Sequence, residues 1–165
     1  MKPQLHGSKV KLRCIEHSDA GDLFEIYSNE ATMEFASEPV LESESVLKQK
    51  LTEGKEAEES GDLYEWAIEC ATLGKVVGTC ELHSFSLCGR ECEIACLVNS
   101  SFWRKGYMSE ALQLVLEYAQ SQGIKKLIAD IDSQNYRSIG LFAKNGFKSR
   151  GDGKYYLWLE EMAEC

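Results

Sequence analysis

The spacing of apolar positions changes several times along the chain, and each change marks an element. Lys9 to Ile15 alternates charged and apolar residues, the period-two pattern of a half-buried strand. From Ser18 or Asp19, either of which can cap a helix, the spacing lengthens, and Leu23, Phe24 and Tyr27 share one helical face. A second helix is predicted over Glu42 to Glu59, with Val46, Leu47 and Leu51 inward and a charge-dense, solvated far end. Three strands follow: Asp62 to Cys70, Lys75 to Phe85 and Glu91 to Val98, with turns at Leu73-Gly74 and Leu87 to Arg90. Gly106 or Tyr107 starts a helix reaching Ser121, along which Ala111, Leu112, Val115, Leu116 and Ala119 form an apolar stripe. Lys125 to Ile131 reads as a short buried strand, and Asn135 to Asn145 as a helix that Gly146 ends in a left-handed cap. Phe147 to Arg150 and Lys154 to Leu159 close the series as a hairpin around Gly151-Asp152-Gly153. The sum is a mixed α/β fold of about seven strands, with about four helices on both faces of the sheet.

Length and composition narrow the picture. A chain of 165 residues fits one domain spanning 1–165, and 44% hydrophobic residues are enough to fill its core. Asp and Glu outnumber Lys and Arg by 27 to 18, a formal charge of −9 that repels nucleic acid and anionic lipid and favours cationic partners. Arg104-Lys105 is too short a basic patch to reverse that. No stretch reaches the roughly 18 apolar residues needed to span a bilayer. Met1 to Val10 lacks the apolar run of a secretory signal, so the expectation is a cytoplasmic protein. Seven cysteines then read as free thiols in a reducing compartment. Cys88, Cys92 and Cys96 would converge on a helix, but they fall on a turn and a strand, and His83 is the nearest histidine; no metal site is expected. Phe85, Leu87 and Tyr155 to Trp158 would serve as core or as the edge of a homodimer.

Two sequential stretches carry candidate chemistry. The first runs from Ile94 to Leu112: a buried strand, a loop bearing Trp103-Arg104-Lys105-Gly106, and an amphipathic helix. A helix N-terminus presents unpaired amides and partial positive charge to an anion such as a phosphate. Gly106 permits close backbone approach, and Arg104 and Lys105 add neutralising charge. Without more, a strand-to-helix loop with basic residues on its outside explains the pattern as well. The second stretch is Asn135-Tyr136-Arg137-Ser138 followed by Lys144-Asn145-Gly146-Phe147, where Asn135 on its own reads as a helix cap.

Together the two stretches resemble the GNAT superfamily of acetyl-CoA-dependent N-acetyltransferases, in particular its Rim-type branch of ribosomal-protein N-terminal acetyltransferases. Trp103-x-x-Gly106-Tyr107 with Ser109-Glu110-Ala111, and Asn135-x-x-Ser138 with Lys144-x-Gly146-Phe147, carry the resemblance; Met108 stands where a small residue is usual. It implies the GNAT fold with a largely antiparallel sheet, acetyl-CoA as cosubstrate, and acetyl transfer to a primary amine by direct attack on the thioester. The amine would belong to a protein N-terminus or a small molecule. It further implies that Leu97 and Val98 offer backbone groups to the coenzyme arm. Arg104, Lys105, Gly106, Tyr107, Met108 and Ser109 would hold the pyrophosphate, with Asn135 and Ser138 reaching in from the opposite side. Glu93 is the first candidate for general base and Glu69 the reserve. Ser138 is a candidate acid or water holder, because Phe142 stands where many members have tyrosine. A non-catalytic acyl-CoA-binding sensor and a protein-interaction module are the alternatives on the same fold.

Overall fold

The computed structural model describes residues 2–159, and every strand and α-helix expected above is present, with one short strand, one short α-helix and two 3-10 turns (His17–Asp19 and Ser100–Phe102) added. Strands β1 (Leu5–His6), β2 (Val10–Arg13), β3 (Leu63–Cys70), β4 (Val76–His83), β5 (Glu91–Val98), β6 (Lys126–Asp130), β7 (Lys148–Ser149) and β8 (Lys154–Trp158) form one sheet in the order β1-β2-β3-β4-β5-β6-β8-β7. All neighbours are antiparallel except β5 and β6. The helices are α1 (Ala20–Tyr27), α2 (Glu30–Met33), α3 (Glu44–Glu59), α4 (Tyr107–Ser121) and α5 (Tyr136–Lys144).

The additions to the expected seven strands and four helices are β1 and α2. Each is too short for a period to show. β1 is two residues laid against Leu12 and Lys11. α2 is a single turn whose cap, Asn29, accepts the Thr32 amide at 2.9 Å through Oδ1.

The alternation of the strands sends apolar side chains to both faces, so each face needs a cover. Val10, Leu12, Trp66, Ile68, Cys80, Leu82 and Ile94 pack with the α4 stripe Ala111, Leu112, Val115 and Ala119, and with Phe142 of α5. On the other face Ala67 and Val76 pack beneath Leu23, Ile26 and Tyr27 of α1, Met33 of α2 and Leu47 of α3. Glu110, in the first turn of α4, ties the helix to the sheet. Its carboxylate accepts the Lys9 amide at 2.8 Å, the Val10 amide at 3.1 Å and the Ser8 hydroxyl at 3.0 Å.

One irregularity positions everything that follows. β5 and β6 share only three rungs, Glu91 with Lys126, Cys92 with Leu127 and Glu93 with Ile128. Beyond Glu93, β5 runs on to Val98 and β6 to Asp130 with no pairing between them, so the sheet splits there. β4 follows β5 as far as Val98, and the Asn99 amide adds a bond to the Val77 carbonyl at 2.7 Å. In an antiparallel pair the residues alternate between facing the partner and facing away. Asn99 faces β4, so Leu97 does too; its carbonyl lies 2.2 Å from where a Cβ on Gly78 would stand. The backbone groups of Cys96 and Val98 therefore turn to the opened edge.

Candidate functional site: a cleft at the split in the sheet

An open, shallow cleft lies at this split. Cys96, Leu97 and Val98 line it from β5, Trp103 and Met108 from the loop and first turn of α4, and Asn135, Arg137 and Ser138 from the start of α5. Thr32, Phe35 and Ala36, at and after α2, close it on another side. α2 is held there because the Thr32 hydroxyl accepts the Ser100 amide at 2.8 Å and the Asn29 carboxamide oxygen accepts the Ser100 hydroxyl at 3.2 Å.

The loop entering α4 has an unusual backbone. Gly106, its N-cap, sits at φ 81°, and Arg104 at φ 64°, a conformation that costs a residue with a Cβ. Gly106 has no side chain to cap the helix, so the amides of Tyr107, Met108 and Ser109 open outward without a side-chain acceptor from that position. A Cβ at Gly106 would meet the Lys9 ammonium at 2.8 Å, and that ammonium donates to the Lys105 carbonyl at 3.4 Å. Two lysines, Arg104 and a helix N-terminus thus share one small region, which suits an anion. Tyr107 turns its hydroxyl inward to Cys70 Sγ, 3.3 Å away.

Within the cleft, the Trp103 indole N–H donates to the Val98 carbonyl at 2.8 Å. Arg137 stacks its guanidinium over the Trp103 ring, 3.3 Å from the centroid. The stack joins the α4 loop to α5 across the cleft. Burial, aided by the nearby charge of Arg104, holds the Arg137 guanidinium below its ordinary pKa. Asn135 caps α5 by accepting the Ser138 amide at 3.3 Å.

The residues singled out from the sequence divide accordingly. Leu97, Val98, Met108, Asn135 and Ser138 line the cleft; Arg104, Lys105, Gly106, Tyr107 and Ser109 form the adjoining loop and turn. Leu97 departs from expectation in one respect: its carbonyl is committed to the β4 side, and Cys96 and Val98 are the residues on the free edge. Glu93 sits on the last shared rung, paired with His83 and Ile128, and does not line the cleft. Three strand steps separate it from Cys96 and five from Val98, roughly 10 and 16 Å. Glu69 accepts Arg13 Nε at 3.2 Å, while the same guanidinium forks onto Asp19 at 2.9 Å. Burial would raise the Asp19 carboxyl, but that fork overrides it and holds the group below its ordinary value. Phe142 is buried in the core.

Sequence reasoning missed Trp103 and Arg137 as a pair, and missed Thr32, Phe35 and Ala36 altogether. It also missed Glu65 and Glu81, which face each other across β3 and β4 on the α1–α3 side. Burial, then the adjacent Glu81 charge, pushes the Glu65 carboxyl well up, against the pull of Lys50 and Lys2. Among the described residues no three His, Cys, Asp or Glu side chains gather as a metal would require, and no helix is long and apolar enough to cross a membrane.

A split sheet beside an uncapped helix N-terminus can be compared with known proteins. Residues 9–148 match the model of the Acetyltransferase (GNAT) domain family. The chain belongs to the GNAT acetyltransferase family. As a GNAT protein it falls in the class of acetyl-CoA-dependent acyltransferases. An uncharacterized N-acetyltransferase of Bacillus licheniformis, p20, is 22% identical over 148 residues, 89% of this chain and 83% of its own. Among solved structures, RimL, a ribosomal L7/L12 alpha-N-protein acetyltransferase in complex with coenzyme A, superposes with a TM-score of 0.86 at 17% identity. That superposition covers 97% of this chain and 100% of RimL. The spermidine N-acetyltransferase of Vibrio cholerae, in complex with CoA and spermine, gives 0.80 at 18% identity, covering 92% of this chain and 96% of its own. Both share this GNAT fold.

Proposed function

We propose that this GNAT protein transfers the acetyl group of acetyl-CoA to a primary amine, a protein N-terminus or a small polyamine-like molecule, by direct attack on the thioester. The observation that carries the reading is the opened edge of β5, with the unpaired backbone groups of Cys96 and the Val98 amide, lying next to the Gly106-led N-terminus of α4. The residues present fit an extended thioester with a diphosphate at one end. The amides of Tyr107, Met108 and Ser109 receive the diphosphate, assisted by Arg104 and Lys105, and the left-handed Gly106 keeps side-chain bulk out of that approach. Val98 orients the arm through its amide, its carbonyl being held by the Trp103 indole. Backbone donors aimed at the thioester oxygen favour the charge that develops as the amine adds. Asn135 fixes the start of α5 and so the position of Ser138, which holds a proton or a water near the departing sulfur. A thiol has a reference pKa of about 8.5 and leaves with little help.

Amines are protonated near neutral pH, so attack requires a base. Glu93 serves only through a chain of waters, since it shares the face of β5 that Leu97 presents but stands several strand steps below the cleft. A net charge of −9 favours a cationic acceptor over an anionic one. RimL acts on a protein amino terminus and the Vibrio cholerae enzyme on spermidine, so both acceptor kinds occur on this fold.

The test is CoA-thiol release with a panel of peptides bearing free N-termini, polyamines and amino acids, run on wild type, Gly106→Val, Glu93→Gln and Ser138→Ala. The expected result is turnover with at least one amine. Gly106→Val should lose acetyl-CoA binding, Ser138→Ala should lower kcat about 100-fold, and Glu93→Gln should lower kcat while acetyl-CoA binding is kept. Acetyl-CoA binding without turnover of any amine would favour a sensor; no binding at all would remove both readings.

A further inference from the structure

Cys80 and Cys96 occupy directly opposed positions on β4 and β5. The alternation fixed by Asn99 and Leu97 makes theirs a non-hydrogen-bonded pair, the kind in which Cα atoms approach to about 4.5 Å and side chains to their closest. That separation lies inside the range a disulfide spans. Their Sγ atoms stand 2.7 Å apart, well inside non-bonded contact. The two sulfurs differ in access. Cys80 is fully buried, whereas Cys96 is partly exposed and lines the cleft. The acetyl-transfer chemistry uses neither thiol.

We infer that Cys80 and Cys96 form a paired-thiol site that exchanges reversibly with a low-molecular-weight disulfide entering through the cleft. The Cys96 thiolate attacks one sulfur of the small disulfide, forming a mixed disulfide and releasing one small thiol. Cys80 then gives up its proton and attacks Cys96 Sγ, forming the cross-strand bond and releasing the second thiol. Two protein thiols are oxidised and one small disulfide is reduced to two thiols. Burial holds the Cys80 thiol protonated and slows its step, but its target is already in contact. A reducing pool reverses both steps, so the site reports the thiol–disulfide balance from inside the cleft. The inferred chemistry needs only an accessible cleft; its coupling to coenzyme rests on the function proposed above.

The experiment uses the full chain carrying Cys14→Ser, Cys88→Ser and Cys165→Ser, which removes two exposed thiols and the one outside the described residues. Folded protein is equilibrated with excess oxidised glutathione, quenched with an alkylating reagent and mapped by mass spectrometry. The expected result is loss of two alkylatable thiols, a linked peptide pair containing Cys80 and Cys96, and full reversal by dithiothreitol. Adding Cys80→Ser, or Cys80→Ala should that serine prevent folding, leaves one glutathione on Cys96; adding Cys96→Ser leaves Cys80 unmodified. Both thiols remaining free at equilibrium, or glutathione accumulating on Cys80 instead, would overturn the inference. Acetyl-CoA at ten times its Kd slows the exchange about tenfold where it covers Cys96. A linked pair that forms at an unchanged rate with acetyl-CoA bound keeps the thiol site and removes the coenzyme from this part of the cleft.

Discussion

Glu110 is the most exacting test of how the helix that shapes the cleft is held. It leaves the first turn of α4 sideways and accepts two backbone amides and one hydroxyl from the segment that begins β2. Glu110→Ala removes all three acceptor contacts and strands the Val10 amide, whose residue is fully buried. A hydrogen bond to a charged group contributes about 1.5–3 kcal/mol net, and the Ser8 and Lys9 contacts are discounted because they face solvent. The expected cost is about 2 kcal/mol, read as a lower urea midpoint at unchanged slope and a fall in Tm of about 4–8 °C. Glu110→Gln keeps an acceptor oxygen and loses the charge, so it should cost about half as much. The pH dependence has a definite sign. Burial alone would raise this carboxyl, yet the Lys9 and Val10 amides hold it below its ordinary value. Its contribution is therefore full above the ordinary glutamate range, near 4.3, and is lost as pH falls through the lower folded value. Wild-type stability in Glu110→Ala, or a cost that grows as pH falls below 4, would refute the reasoning.

Three further outcomes follow from the same geometry. Arg104→Gly relieves a left-handed backbone at φ 64°, offset by the greater freedom of an unfolded glycine, so stability should rise by under about 1 kcal/mol while acetyl-CoA affinity falls; a loss of stability would contradict the strain. Trp103→Phe keeps a ring for Arg137 but removes the N–H donated to the Val98 carbonyl, and urea unfolding should show a loss of about 1 kcal/mol, with no loss refuting that bond's role. Glu65 has a raised folded pKa, so its share of stability is present at acid pH and is lost as pH rises through that value; Glu65→Gln should flatten the decline of stability from pH 5 to 9, and an unchanged slope would dismiss the carboxylate pair.

What the sequence made legible was whatever repeated long enough to show a period. The α4 stripe from Ala111 to Ala119 gave that helix its bounds and its buried face, and the left-handed Gly106 and Gly146 sit where a helix start and stop were read. β1 and α2 are too short to carry a period, so Thr32 and its contact to Ser100 were invisible. Asn135 was readable as a cap and is one, because a carboxamide three residues before an amide needs only local geometry. The facing of Leu97 was not readable: one residue of register decides whether a carbonyl meets β4 or the open edge, and no side chain announces it. Trp103 and Arg137 lie thirty-four positions apart, and only the fold brings a guanidinium over that ring.

The brevity of the β5–β6 junction has a mechanical consequence. A sheet zipped along its whole length resists shear everywhere, and an intruding molecule must break ladder bonds to enter. Here three rungs weld two stiff antiparallel ribbons at one end and leave them like the blades of an opened pair of tongs. Compliance is concentrated in one gap, so an extended guest can lie between the blades without any backbone bond being surrendered, and its grip tightens both ribbons at once.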